Sequence, residues 1–199
     1  MIESERMFLL AKPADDQIHC FLAAQRDEPF SYAEVGMTQS REPARYNIDH
    51  HRIRLGSGGA VFAKACDALR QWTMFDLGWV KLFDANTPIE TGATVCVRIQ
   101  HFGFWSLNAC RIVYVVDENV PVKRYGFAYG TLAGHGERGE ERFTIEWQRA
   151  DDSVWYDILA CSRPRHLLAK LGYPLTRALQ KRFARDSQQA MWRAVNADK

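Results

Sequence analysis

The chain has no apolar run of 18 residues, and the polar Lys12-Pro13-Ala14-Asp15-Asp16 comes too early for a signal peptide to form. No membrane-spanning helix is expected, and the expected location is the cytoplasm. Net charge is scarce. It is +2 overall, so bulk attraction to nucleic acid is not implied. The five cysteines, Cys20, Cys66, Cys96, Cys110 and Cys161, are odd in number and form no C-x-x-C pair. That argues against a disulfide framework and a zinc ribbon, and for reduced, mostly buried thiols. Gly56-Ser57-Gly58-Gly59 completes neither G-x-G-x-x-G nor G-K-[ST], so it reads as a strand-to-helix turn rather than a phosphate cradle. There is no G-x-S-x-G elbow, internal repeat or low-complexity segment.

What the chain does contain is alternation. Residues 94–102 alternate through Val95, Val97 and Ile99, and residues 124–132 through Tyr125, Phe127 and Tyr129. Residues 142–148 alternate through Phe143, Ile145 and Trp147. Strands are also expected near 46–55, 75–83, 106–116 and 154–161, with 30–38 extended. The connections are short and turn-like, so neighbouring strands should be antiparallel. Helices are expected at about 15–25 and 60–72. A long one should run from Arg163 to Val195, with a stripe of Leu167, Leu171, Leu175, Leu179, Phe183, Met191 and Val195. Pro174 should kink or restart it. Residues 163–199 carry nine Lys/Arg against two Asp, net +7, which leaves −5 for residues 1–162. This basic helix is either a solvated face or a contact for anionic lipid or an acidic partner.

The order of elements predicts an α+β fold of the helix-grip type. A curved antiparallel sheet of about six to seven strands would wrap the long C-terminal helix. Residues 1–45 read as an N-terminal arm with a short helix, and 46–199 as the helix-grip domain. A gap between the concave sheet and the helix is core if large side chains fill it, and a pocket if small or polar ones line it.

Several stretches carry a resemblance. They are Phe30-Ser31-Tyr32-x-Glu34-Val35-Gly36-x-Thr38, Gly103-x-Trp105-x-x-Asn108-x-x-Arg111, Tyr129-Gly130-Thr131-Leu132, His135, Gly139-Glu140-Glu141-x-Phe143 and Ser162-x-Pro164. Over residues 7–190 the chain resembles a bacterial and plant family known only as a domain of unknown function, which implies no activity. Its architecture is similar to the START-like, helix-grip (SRPBCC) superfamily of lipid-transfer domains, pollen-allergen-like proteins and polyketide cyclases. That resemblance implies an apolar or aromatic ligand between sheet and helix, and for some members catalysis there.

Candidate chemistry falls on a few residues. His135, Glu140 and Glu141 stand close together between two strands. They are either proton carriers or part of a charged glycine-rich turn in which Arg138 pairs with a glutamate. Arg111, inside the most apolar strand, needs a carboxylate, a ligand anion or a surface. It either anchors an anionic head group, with Asn108 holding the same polar end, or forms an ion pair with Glu140, Glu146 or Asp157, or lies at an exposed edge. Regular alternation would put Asn108 on one side with Cys110, Ile112 and Tyr114. Trp105, Phe127, Tyr129 and Tyr156 are either core or pocket wall. In Asp49-His50-His51 the two histidines point to opposite faces of a strand, so they do not share a metal ion. No metal, cofactor or nucleic acid is expected. The expected partner is a small apolar or amphipathic molecule. The expected function is binding it, or a cyclase, hydratase or hydrolase reaction in the same pocket with His135 or Glu140 as proton carrier.

Overall fold

The structure, a computed structural model, describes residues 7–39, 45–164 and 173–197. Strand β1 (Phe8–Leu9) and helix α1 (Asp15–Gln25) precede β2 (Asn47–Ser57) and α2 (Gly59–Arg70). A 3-10 turn at Thr73–Phe75 leads to β3 (Val80–Phe83), β4 (Thr94–Gln100), β5 (Trp105–Glu118), β6 (Lys123–Thr131), β7 (Glu137–Trp147) and β8 (Ser153–Pro164). Helix α3 (Tyr173–Asn196) follows. The sheet order is β2-β8-β7-β6-β5-β4-β3, and every neighbouring pair is antiparallel. Strands β3 to β8 form one meander. Strand β2 closes the far edge against β8, so α2 must carry the chain across the concave side from one edge to the other. Strand β1 pairs with β5 at Ser106 and Trp105, beyond the point where the β5–β6 pairing begins at Cys110. This is the helix-grip arrangement of a curved antiparallel sheet around a C-terminal helix.

Three elements differ from the sequence expectation. Helix α3 starts at Tyr173 rather than Arg163, because Arg163 and Pro164 close β8 opposite Arg138 and Glu137. Pro174 thus falls in the first turn, where no intrahelical N–H bond is lost. Leu167 and Leu171 of the expected stripe lie outside the described residues. Residues 75–83 are not one strand. Gly78 takes a left-handed φ of 74°, and the Leu77 N–H bonds back to the Val80 carbonyl, so only Val80–Phe83 joins the sheet. Strand β7 begins at Glu137, five residues before the expected start. The charged, glycine-containing stretch 137–141 takes ladder positions against both β6 and β8.

The two faces of the sheet are packed differently. On the concave side Phe127, Phe143 and Tyr156 meet Trp72 and Phe75, Phe62 and Leu69 of α2, and Met191 and Val195 of α3. The Trp72 and Phe127 rings are 4.8 Å apart and the Phe75 and Phe143 rings 5.5 Å, both edge to face. The Tyr156 and Ser187 hydroxyls share a hydrogen bond of 2.9 Å that ties sheet to helix. On the convex side Ile18 and Phe21 of α1 bury Leu107, Ala109 and Leu132. A bulge between Ile112 and Tyr114 breaks the alternation of β5. Tyr114 therefore lies on the convex side with Ala128 and Arg142, not with Asn108, Cys110 and Ile112 as regular alternation would have it.

Residues 30–38 are also held to the convex face, with one carboxylate as the main hub. Only Phe30 makes a strand-like bridge, to Leu132. The buried Glu140 accepts hydrogen bonds from Tyr32 Oη (2.7 Å), the Gly36 N–H (2.8 Å), the Thr38 N–H (3.0 Å) and the Thr38 hydroxyl. Ser31 and Thr131 hydroxyls bond at 2.6 Å, and the Thr131 hydroxyl also receives the Gly139 N–H. Gly130 makes the approach possible, since a Cβ there would stand 2.1 Å from Tyr32 Oη. Removing Glu140 leaves several buried donors without an acceptor. Glu140→Ala should cost about 3–5 kcal/mol of unfolding free energy in urea melts, and Tyr32→Phe about 1 kcal/mol.

Candidate functional site

The aromatic core fills only part of the concave face. Past Phe75, Phe143 and Phe183 lies a cavity of about 770 Å³ between the sheet and α3. The strand register explains why. One cross-strand row reads His51, Ile158, Phe143, Phe127. The next row, two residues along each strand, reads Asp49, Ala160, Glu141, Tyr129. Beyond it come Asn47, Ser162 and Gly139, with Thr131 bonded to Gly139. On β8 and β7 a large apolar side chain gives way to a small or polar one, Ile158 to Ala160 and Phe143 to Glu141, and Asp49 follows His51 on β2, so less stands opposite the helix there to fill the space. The walls at this level are otherwise apolar, with Val97 and Ile99 on β4 and Leu179 and Phe183 on α3. Phe8, Leu10 and Leu175 form part of the lining while remaining exposed.

One end of the cavity is acidic. Tyr129 Oη donates to Glu141 Oε2 at 2.8 Å. Burial pushes the Glu141 carboxyl up to about 7, and lifts the Tyr129 phenol well above its usual range. Glu137 is also raised by burial. Gln180 Nε2 donates to both its oxygens at 2.8 Å, and the Glu137 N–H donates to His135 Nδ1 at 3.0 Å. Asp49 differs. The Arg177 guanidinium holds it in a two-pronged contact, one arm at 2.6 Å, and keeps its carboxyl below the usual range. Arg177 also donates to Gln180 Oε1 at 2.7 Å, which fixes α3 over β2. Near the opposite wall His101 stacks on Phe104 at 4.4 Å and shares a hydrogen bond of 2.8 Å with Ser106, its pKa lowered by burial. Among the described residues no three His, Cys, Asp or Glu converge as a metal site.

The sequence candidates divide between this cavity and the rest of the molecule. Glu141, Tyr129, Asn108 and His135 line it. Glu140 borders it, but its carboxylate is turned to residues 32–38. Arg111 lies elsewhere. Its guanidinium donates to the carbonyls of Glu28 (3.0 Å), Gln25 (3.1 Å) and Arg26, at the C-terminal end of α1, where a cation is favoured by exposed carbonyls. Phe127 and Tyr156 belong to the packed core, and Trp105 stands under the Arg98 guanidinium. Asp49, His51, Glu137, Arg177 and Gln180 were not singled out as ligand contacts. The i, i+3 spacing of Arg177 and Gln180 and the period-2 spacing of Asp49 and His51 were visible signals, but neither shows what the residues face. Gly134–Gly139 spells G-x-G-x-x-G, yet it is a hairpin turn entering an antiparallel strand and carries no helix N-terminus.

Part of the basic charge of α3 is engaged within the fold. Arg177 holds Asp49, Arg182 and Arg185 contact Asp186, and Arg182 also covers the Trp79 ring at 4.4 Å. No helix among the described residues is long and apolar enough to cross a membrane.

Fold and cavity together define a helix-grip α+β protein with a mostly apolar cavity, open on one side, and an acidic end. The chain belongs to the family described as "Domain of unknown function (DUF1990)", whose model matches residues 31–190. It is 39% identical over 211 residues to a UPF0548 protein of Dictyostelium discoideum, covering 96% of this chain and 97% of that one. It is 40% identical over 201 residues to a UPF0548 protein of Deinococcus radiodurans, covering 95% and 99%. The amoebal relative extends the family beyond bacteria and plants. Among solved structures it is similar to a hypothetical protein (jhp0584) from Helicobacter pylori, at 12% identity, TM-score 0.48, and 85% and 95% coverage. It is also similar to human STARD10, at 10% identity, TM-score 0.41, and 94% and 85% coverage.

The raised Glu141 pKa carries a sign. Below the ordinary value of 4.5 the carboxyl is neutral whether the chain is folded or not. Above it the unfolded chain ionises freely while the folded one holds its proton to about 7, so stability is lost as pH rises through that interval. Glu141→Gln should therefore gain stability relative to wild type between pH 5 and pH 8, with the gain read from urea midpoints at the two pH values.

Proposed function

We propose that the protein binds a small apolar or amphipathic molecule in the cavity between the curved sheet and α3. The observation that carries this reading is the change of side-chain size along the concave face. The same surface that is packed with aromatic rings at one end leaves about 770 Å³ at the other, within the usual range for small-molecule sites. A stable protein does not keep such a space for packing reasons, because unfilled apolar volume costs stability. Phe75, Phe183, Leu179 and Ile99 form the apolar walls, while Tyr129, Asn108, Glu141 and Gln180 supply the polar contacts. Arg111 has no part in this reading, since its guanidinium caps α1.

A second reading, an enzyme using the same cavity, is favoured by one specific feature. Glu141, partly buried with a pKa of about 7 and bonded to Tyr129, is a carboxyl poised to give or take a proton near neutral pH. It is the proton carrier of that reading in place of Glu140, whose oxygens are occupied by four donors, and of His135. The natural ligand, offered as substrate, would show the difference: turnover lost in Glu141→Gln with binding retained would establish the enzyme.

Native mass spectrometry of the purified protein should show a retained small molecule, or uptake of an apolar probe at one equivalent. Leu179→Trp, which places an indole in the cavity, should abolish that uptake while changing unfolding free energy by no more than about 1–2 kcal/mol. Retention unchanged in Leu179→Trp would remove the cavity as the binding site.

A further inference from the structure

Within the proposed binding cavity, the polar end has a definite chemical preference. The walls that meet an apolar body are Phe75, Ile99, Leu179 and Phe183, and the row that closes the polar end is Asp49, Ala160, Glu141 and Tyr129. Of the acidic groups there, Asp49 is matched by the Arg177 guanidinium, and Glu137 has both oxygens bonded by Gln180. Glu141 is in a different position. Its Oε2 takes the Tyr129 hydroxyl, and its Oε1 receives no hydrogen bond from the described residues although the residue lines the cavity. No lysine or arginine of the described residues bonds to it. The hydrogen-bonding capacity of this end is thus an acceptor lacking a donor. A ligand carboxylate or phosphate placed there would meet the Glu141 and Glu137 carboxyls, while the Arg177 guanidinium at this end is already engaged by Asp49 and Arg111 lies on the convex side.

We infer that the cavity selects an amphipathic amine, whose ammonium group donates to Glu141 Oε1 while its apolar body lies between the sheet and α3. This rests on the cavity reading above and specifies its ligand class. Binding as an ammonium–carboxylate pair requires Glu141 to be ionised, so uptake of the amine releases the proton that the empty site holds near neutral pH. The titratable groups facing Glu141 or the cavity end it lines are Tyr129 on β6, Glu137 on β7, Asp49 and His51 on β2, Tyr156 on β8, Cys110 on β5 and His135 in the β6–β7 turn, with Arg177 on α3 behind Asp49.

The test uses three probes that share one chain and differ only in the head: decylamine, decanol and decanoate. Each is measured by isothermal titration and by displacement of an apolar fluorescent dye from the intact protein, at pH 6 and pH 8. Over this range the amine stays cationic and decanoate anionic, so any pH dependence belongs to the protein. The amine should bind at least tenfold tighter than decanoate at pH 8, and that margin should shrink at pH 6. In Glu141→Gln the margin should fall to threefold or less, with the variant melting no lower than wild type as evidence that it is folded. Decanoate binding as tightly as the amine, or a margin that persists in Glu141→Gln, would overturn the assignment while leaving the cavity reading intact. Failure of all three probes and of the dye would defeat the cavity reading itself, and this inference with it.

Discussion

Two neighbouring carboxylates on β7 divide the molecule between them. Successive side chains of a strand point to opposite faces, so Glu140 is sent to the convex side and Glu141 to the concave one. Glu140 gathers a phenol, a hydroxyl and two backbone N–H groups from residues 32–38. A buried carboxylate with that many donors is satisfied, and the segment that supplies them cannot leave without stranding it. Three of the stretches that mark the family resemblance meet here. Tyr32, Gly36 and Thr38 come from one, Gly130 and Thr131 from another, and Gly139 and Glu140 from a third. Their physical role is to clamp the N-terminal segment to the outside of the sheet, and none of these bonds requires a ligand.

Glu141, one residue on, has a single donor and a cavity in front of it. The contrast shows why proximity in sequence is a poor guide to shared chemistry on a strand. The hairpin that gathers one imidazole and three carboxylates splits into a structural half and a half that faces the cavity. Its turn is shorter than its composition suggests, because backbone pairing on both sides draws Glu137 through Glu141 into the ladder. Burial then sets the charge state. The same desolvation that raises Glu141 and Glu137 is countered at Asp49 by a guanidinium, so three acidic residues at one end of a cavity have three different dispositions.

The helix α3 shows how an amphipathic stripe can serve two purposes along its length. At its C-terminal end Met191 and Val195 are core, packed with α2 and the aromatic rows. Toward its start Leu179 and Leu175 belong to the same stripe but look onto open volume. The difference lies in the sheet beneath. Where the facing row is Ile158, Phe143 and Phe127 the stripe is met; where it is Ala160, Glu141 and Tyr129 it is not. Helical periodicity records that a face is apolar, and has nothing to say about whether anything reaches it.

Local pattern determined a good deal of this protein. Period-2 alternation between short turns announced an antiparallel meander, Pro13 and Pro29 bracketed α1, and the closing stripe announced a long helix, because each of these signals lies within or beside one element. The elements that escaped were those whose local chemistry opposed their tertiary role: the charged start of β7, the turn at Gly78 inside an apolar run, and the bulge that flips Tyr114. Register, bulges and the ends of arginine side chains were decided only by the tertiary structure. Arg111 could be recognised as needing a partner, but the carbonyls at the end of α1, more than eighty residues away in the chain, supplied it. The cavity was decided in the same way. No strand contains it; it exists because neighbouring strands align so that Asp49, Ala160 and Glu141 fall at the same height, and alignment between strands is a property of the fold and not of any stretch of sequence.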